Sequence, residues 1–277
     1  MKLVTYRDSG GAERVGQLEG DNIQPLAAES MIDWLNGNGR ETSGDPVATS
    51  DVELLAPVPV PPSIRDFFTY KVHVETVTKP AGGIPEYWYE GPVFYFTNPS
   101  VVHAPGEPVA RPSLSKDFDF ELEIAAVMDG NGEIAGFTLY NDWSARDIQR
   151  NEMPVGVGPH KCKDFAQTLG PWLVTPDELP YEGGRLDIEG RVFVNGEEIT
   201  GSNASEMHFS WDEIVSHASR DSKLVAGDVL GSGTLGKGCL LEIGPVVEGD
   251  RWIEPGDTVA LEADGLGRLE TPIVEPS

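Results

Sequence analysis

Two glutamates two positions apart, Glu121 and Glu123, stand at the mouth of an apolar run, Phe118-Asp119-Phe120-Glu121-Leu122-Glu123-Ile124-Ala125-Ala126-Val127-Met128. A run of this kind reads as a buried strand. Residues i and i+2 of a strand share one face, about 6–7 Å apart, so both carboxylates can bend toward a single point. Unless a cation neutralises them there, desolvation and mutual repulsion oppose folding. The plainer alternative is a solvated strand face that carries two acids. Asp142 supplies a third carboxylate in Tyr140-Asn141-Asp142-Trp143. With no His or Cys pair close by in the sequence, the set suits a hard, oxygen-loving divalent ion: Mg²⁺ first, with Mn²⁺ or Ca²⁺ as alternatives.

The elements that must position these acids are short-range ones. Residues 134–140 alternate and are β-prone, which puts Asp142 at a strand end. Asp129-Gly130-Asn131-Gly132 is a turn that joins the two strands as a hairpin and returns Asp142 toward Glu121 and Glu123. Ser144 reads as a helix start, with Asp147 three residues on as a weak capping box.

Phe120-Glu121-Leu122-Glu123-Ile124-Ala125, followed by Asn141-Asp142-Trp143-Ser144-Ala145-Arg146-Asp147-Ile148-Gln149, resembles the fumarylacetoacetate hydrolase family. Lys163-Asp164-Phe165, the turn Gly231-Ser232-Gly233-Thr234, and Asp66 with His73 extend the likeness from about residue 60 to the C-terminus. The resemblance implies a fold that is mainly β with some α: a mixed β-sandwich roll over residues 58–277, preceded by a small β-rich N-terminal domain over 1–57. It implies Glu121, Glu123 and Asp142 as metal ligands, with Asp66 as a fourth in some members. Tyr70, His73 and Glu75 fit the family's Tyr-x-x-His followed by Glu, although the Glu commonly lies three residues past the His and here lies two. On a helix i and i+2 diverge, so a His73–Glu75 dyad requires a non-helical segment.

By the same resemblance the chain is a hydrolase that cleaves a C–C bond in a β-diketo acid, acylpyruvate- or fumarylacetoacetate-like, through an enolate held on the metal. His73, with Glu75, would activate a water. Lys163 would act at the reacting centre, while Tyr70, Arg146, Gln149, Gly233 and Thr234 would hold a small anionic diketo or 2-oxo acid. The same centre also serves decarboxylation, isomerisation and hydration, of the 2-hydroxyhepta-2,4-diene-1,7-dioate type, and these form the alternative. A homodimer and a place in aromatic compound catabolism are further implications. The acidic insert that fumarylacetoacetate hydrolase proper carries after the Gly231 turn is absent. Outside the family's chemistry stands a third reading, a non-catalytic metal-binding or scaffolding protein.

A net charge of −26 argues against nucleic acid and anionic membranes, both of which need a basic footprint. The 277 residues suffice for one large core plus an accessory domain, and the 32 Gly and 22 Pro favour turn-rich β structure over a helical bundle. No apolar run of about 18 residues and no signal-like N-terminus is visible, so a cytoplasmic protein is expected. Cys162 and Cys239 are then reduced thiols.

Other stretches punctuate the chain. Ser30–Asn36 reads as a short capped helix, and the Pro-rich run 57–62 marks the domain boundary. Tyr87-Trp88-Tyr89 within the Gly/Pro-rich segment 79–92 is a lid, a packed aromatic cluster or a dimer contact. His160 with Cys162 is too small a set for zinc. Ser210 with Glu213 opens a helix to about Ala218. Gly231-Ser232-Gly233-Thr234-Leu235-Gly236 matches GxGxxG, but the β-like Leu240–Ile243 that follows is not the helix a dinucleotide site needs.

Overall fold

The Leu122–Met128 strand lacks polar alternation because it is covered on both faces. In the computed structural model, which describes residues 1–247 and 249–276, it pairs antiparallel with Ile134–Asp142 on one side and Val229–Gly231 on the other. Leu122, Ile124, Ala126 and Met128 join one core, together with Val192, Val194, Val259 and Leu261 of a second sheet. Ala125 and Val127 join another, formed with Leu3, Val15 and Leu35 of the N-terminal region. Fully burying each Val or Leu contributes about 1.5–3 kcal/mol, so the strand is held from two sides.

The large sheet runs in the order Val47–Ala48, Asn22–Pro25, Glu13–Glu19, Lys2–Arg7, Gln167–Val174, Ile134–Asp142, Leu122–Met128, Val229–Gly231, Ile64–Phe67, Phe94–Thr97. Val229–Gly231 and Ile64–Phe67 lie parallel, with Gly231 opposite Asp66. That non-local pairing delivers Asp66 beside the hairpin. Lys2–Arg7 pairs antiparallel with Gln167–Val174, so the first strand of the chain extends the same sheet. The five-stranded second sheet, Glu197–Asn203, Glu189–Val194, Thr258–Ala263, Gly267–Val274 and Val109–Ala110, packs over it. This is the expected mixed sheet sandwich with a β-rich N-terminal part.

Among the described residues five α-helices decorate the sheets: α1 Met31–Leu35, α2 Lys71–Thr78, α3 Arg146–Glu152, α4 Trp211–Ser219 and α5 Leu240–Ile243. Ser30 caps α1, and Ser210 with Glu213 forms a complete capping box on α4. Two local expectations are corrected, and one that was left open is decided for Trp88. Ser144 does not open α3: Ser144–Ala145 pairs with Phe118–Asp119, and Asp147 accepts from Ser115 Oγ (2.7 Å) and the Lys116 amide (2.9 Å) instead. Leu240–Ile243 is helical, not extended, because Asp119 accepts both amides of its first turn, Leu240 at 2.8 Å and Leu241 at 3.1 Å. Its four residues are still too few for a dinucleotide fold. Finally, Trp88 is a packed anchor that donates its indole N–H to the Phe68 carbonyl (2.7 Å) and lies 4.8 Å from the His208 ring. Among the described residues no helix is long and apolar enough to cross a membrane.

Candidate active site

Asp66, Glu121, Glu123 and Asp142 converge: one carboxylate oxygen from each lies within 4.8 Å of the others, and all four residues are buried. The hairpin register puts Leu122 opposite Asn141 and Glu123 opposite Tyr140, which brings Asp142 level with Glu121. The Asn141 side chain accepts the Glu121 amide (2.9 Å) and holds the entry to the strand. Gly231 is needed beside the cluster, since a Cβ there would stand 2.6 Å from Asp66 Oδ1 and 3.0 Å from Glu123 Oε2.

The cluster is under-compensated. Among the described residues, and counting Asp119, five buried carboxylates face two buried cations, Lys163 and Arg146. Lys163 Nζ donates to Glu121 and to Asp142 Oδ2 (2.6 Å), and Tyr95 donates its hydroxyl to Asp142. Burial, then the charge of Asp142, pushes Asp66 well above the ordinary carboxylate range. Burial with Asp66 and Glu121 does the same to Glu123. Burial raises Asp142 as well, although Lys163 opposes it. Glu121 goes the other way, because Lys163, Arg146 and His73 outweigh burial. Asp142 and Glu121 likewise hold the Lys163 ammonium above its usual value, against burial.

Three oxygens, Asp66 Oδ1, Glu123 Oε1 and Asp142 Oδ1, are buried with no hydrogen-bond partner among the described residues. Orphaned acceptors of one sign, aimed at a common point, are what a bound cation satisfies. The all-oxygen set fits a hard divalent ion such as Mg²⁺ or Mn²⁺.

His73 stands across the cleft. Its Nε2 lies 3.8 Å from Glu121 Oε1, while Nδ1 lies 3.1 Å from Glu242 Oε2. The expected His73–Glu75 dyad is corrected here. Segment 71–78 is helical, so Glu75 turns to solvent and, among the described residues, its carboxylate pairs with Lys71 at 3.8 Å. Glu242, from α5, takes its place beside His73. Its other oxygen accepts the Lys237 amide (3.0 Å), which fixes the carboxylate. No local spacing announces Glu242, because its partner lies 169 positions away in the sequence.

The remaining expected residues divide. Gln149, Lys163, Gly233 and Thr234 border a cavity of ≈ 210 Å³ that also reaches His73, Asp66, Glu121 and Glu123. The Thr234 hydroxyl has no partner among the described residues and is free for a ligand. Gly233 sits at φ 80° with its amide on Glu123 Oε2 (3.0 Å), so it orients the cluster rather than offering that N–H to a substrate. Arg146 is corrected from substrate contact to support: Nε meets Asp119 Oδ2 and Nη2 meets Glu121 Oε1, both at 2.7 Å, and it is 1% exposed. Tyr70 is corrected too, since its hydroxyl is spent on the Ala204 carbonyl (2.9 Å), away from the cavity. Asp119 and Tyr95 are supporting residues that sequence reasoning missed.

Comparisons with known proteins agree with this architecture. Residues 63–274 match the sequence profile of the fumarylacetoacetate (FAA) hydrolase C-terminal family, and residues 1–57 match that of the Rv2993c-like N-terminal family. The oxaloacetate tautomerase YisK of Bacillus subtilis (strain 168) is 28% identical over 271 residues, covering 92% of this chain and 84% of that protein. A fumarylacetoacetase of Arabidopsis thaliana is 28% identical over 257 residues, covering 70% of this chain and 61% of that protein. A crystal structure of 5-carboxymethyl-2-hydroxymuconate delta-isomerase from Mycobacterium smegmatis superposes with a TM-score of 0.78 at 25% identity, with 100% of both chains covered.

Proposed function

We propose, from the premise that this chain belongs to the fumarylacetoacetate hydrolase family and is an enzyme of that superfamily, that it interconverts the keto and enol forms of a small 2-oxo dicarboxylic acid of the oxaloacetate kind. The observation that carries this reading is the placement of His73 between Glu242 and the four-carboxylate cluster. A carboxylate only accepts, so Glu242 keeps the imidazole proton on Nδ1 and leaves the Nε2 lone pair facing the cavity. Asp66, Glu121, Glu123 and Asp142 would hold the ion. When bound, Mg²⁺ or Mn²⁺ would supply Lewis-acid polarisation of the 2-oxo carbonyl, which acidifies the adjacent C–H.

His73 Nε2 then takes a proton from that carbon and returns it to the oxygen side, acting as general base and acid. Glu242 balances the imidazolium formed in between. Lys163, kept charged by Asp142 and Glu121, supplies positive potential to an anionic substrate. The Thr234 hydroxyl and the Gln149 amide border the cavity and would engage a carboxylate. Phe68, Val77, Phe94 and Met153 form apolar walls that limit water, and the small cavity favours short acids.

A second reading, hydrolytic C–C cleavage of an acylpyruvate or fumarylacetoacetate-like diketo acid, is favoured by the freedom of Nε2 to take its proton from water instead of carbon. Proton NMR on oxaloacetate and acetylpyruvate with the Mg²⁺-loaded protein separates the two. Faster keto–enol relaxation of oxaloacetate with intact acetylpyruvate supports isomerisation. Stoichiometric release of acetate and pyruvate, with no effect on oxaloacetate relaxation, overturns it in favour of hydrolysis.

A further inference from the structure

Behind His73, on the side away from the cavity, lies a second convergence of donors that differ in kind from the oxygen cluster. His73 Nδ1, Cys239 Sγ and Glu242 Oε2 form a triangle with edges of 3.1 Å (N to O), 3.4 Å (S to O) and 3.8 Å (S to N). All three side chains are buried, and their donor atoms satisfy the mutual proximity of a metal-binding group. Zinc bonds of about 2.0–2.1 Å to nitrogen or oxygen and about 2.3 Å to sulfur, at tetrahedral angles, give edges of about 3.3–3.6 Å. The observed triangle brackets those edges, and closing it on one ion moves each donor by about 0.3 Å.

We propose that His73, Cys239 and Glu242 form a second metal site, selective for Zn²⁺ and similar thiolate-binding ions, whose occupation silences the enzyme. Donor hardness sorts the two sites. Four carboxylates prefer Mg²⁺ or Mn²⁺, whereas imidazole with thiolate prefers zinc. The second site is also pre-oriented. Cys239 and Glu242 lie three positions apart at the start of α5, which Asp119 anchors through the Leu240 and Leu241 amides. The Lys237 amide fixes the other oxygen of Glu242 (3.0 Å), the kind of outer contact that steadies a ligand.

The proton balance explains the silencing. When zinc binds Nδ1, the imidazole proton passes to Nε2, the Cys239 thiol releases its proton to solvent, and nothing is oxidised. Nε2 then carries a hydrogen and no longer accepts one from substrate or water. Only this inhibitory consequence rests on the proposed role of His73; the site itself does not.

The test uses the full-length protein stripped with a chelator and reloaded with Mg²⁺. Co²⁺, added as a spectroscopic probe, is expected to give one equivalent of near-ultraviolet thiolate-to-cobalt absorption that Zn²⁺ abolishes. The band should vanish in Cys239→Ser and persist in Cys162→Ser. Zn²⁺ should inhibit the wild type, and Cys239→Ser should need about ten-fold or more zinc for half inhibition. No thiolate band in the wild type, or a band that survives Cys239→Ser, overturns the site. A cobalt thiolate band that Zn²⁺ displaces without any inhibition overturns the silencing step and leaves the site itself standing.

Discussion

Replacing Glu242 by Gln removes a negative charge 3.1 Å from His73 Nδ1 and keeps the side-chain volume. A hydrogen bond or close contact to a charged partner is worth about 1.5–3 kcal/mol net. The contact gains its charge-assisted character only when His73 holds the transferred proton, so the loss falls on the transition state rather than on substrate binding. At about 1.4 kcal/mol per decade this predicts a drop of about 10- to 150-fold in kcat, with little change in KM. Glu75→Gln is the matched control. Glu75 is solvent-facing and pairs with Lys71, so its loss should change kcat less than about two-fold. Both variants are assayed for keto–enol relaxation of oxaloacetate under saturating Mg²⁺, with Mn²⁺ affinity measured separately. Mn²⁺ affinity should stay unchanged in both, because neither residue belongs to the four-carboxylate cluster. Equal losses in the two variants, or a Glu242→Gln enzyme with more than half the wild-type kcat, would refute the His73–Glu242 pairing as the working dyad.

Chelation by EDTA should abolish turnover and Mg²⁺ or Mn²⁺ should restore it, whereas Glu123→Ala should fail to recover at any practical Mg²⁺ concentration while remaining folded by circular dichroism. The pH dependence of stability carries a definite sign. Asp66, Glu123 and Asp142 have raised values when folded, so at these three sites the folded metal-free protein holds protons that the unfolded chain has lost, and their contribution to stability should fall as pH climbs above about 4, opposite in sign to that of Glu121. Saturating Mg²⁺ should flatten or reverse that slope in urea titrations. Lys163→Met strips Glu121 and Asp142 of their buried cation and should destabilise the metal-free protein by about 3–5 kcal/mol, with Mg²⁺ recovering part of the loss. Tyr70→Phe should cost about 1 kcal/mol of stability and leave KM unchanged, since the hydroxyl serves the Ala204 carbonyl.

The cluster was legible in the chain to the extent that its members are close in sequence. Glu121, Glu123 and Asp142 are joined by one hairpin, whose period and turn residues announce the pairing that unites them. The continuous apolar run likewise declared a strand covered on both faces. Asp66 came forward only through resemblance, because its place depends on a parallel pairing with Val229–Gly231 that no local pattern encodes. Arg146 and Lys163 could be read as cations near a site. Whether each met substrate or held Glu121 was decided by burial and by which oxygens came within reach.

The partner of His73 belonged to tertiary structure alone. Glu75 was the near neighbour, but helical geometry turned it outward once 71–78 coiled. Glu242 arrived because Asp119, 121 residues from Leu240, stabilises a helical turn where the local residues favour a strand. Hairpins and capped helices follow from interactions within a few residues, so side-chain spacing in the chain determines them. The acid–base pair and the sulfur-bearing site behind it depend on contacts between distant segments, whose closure only the packed fold provides.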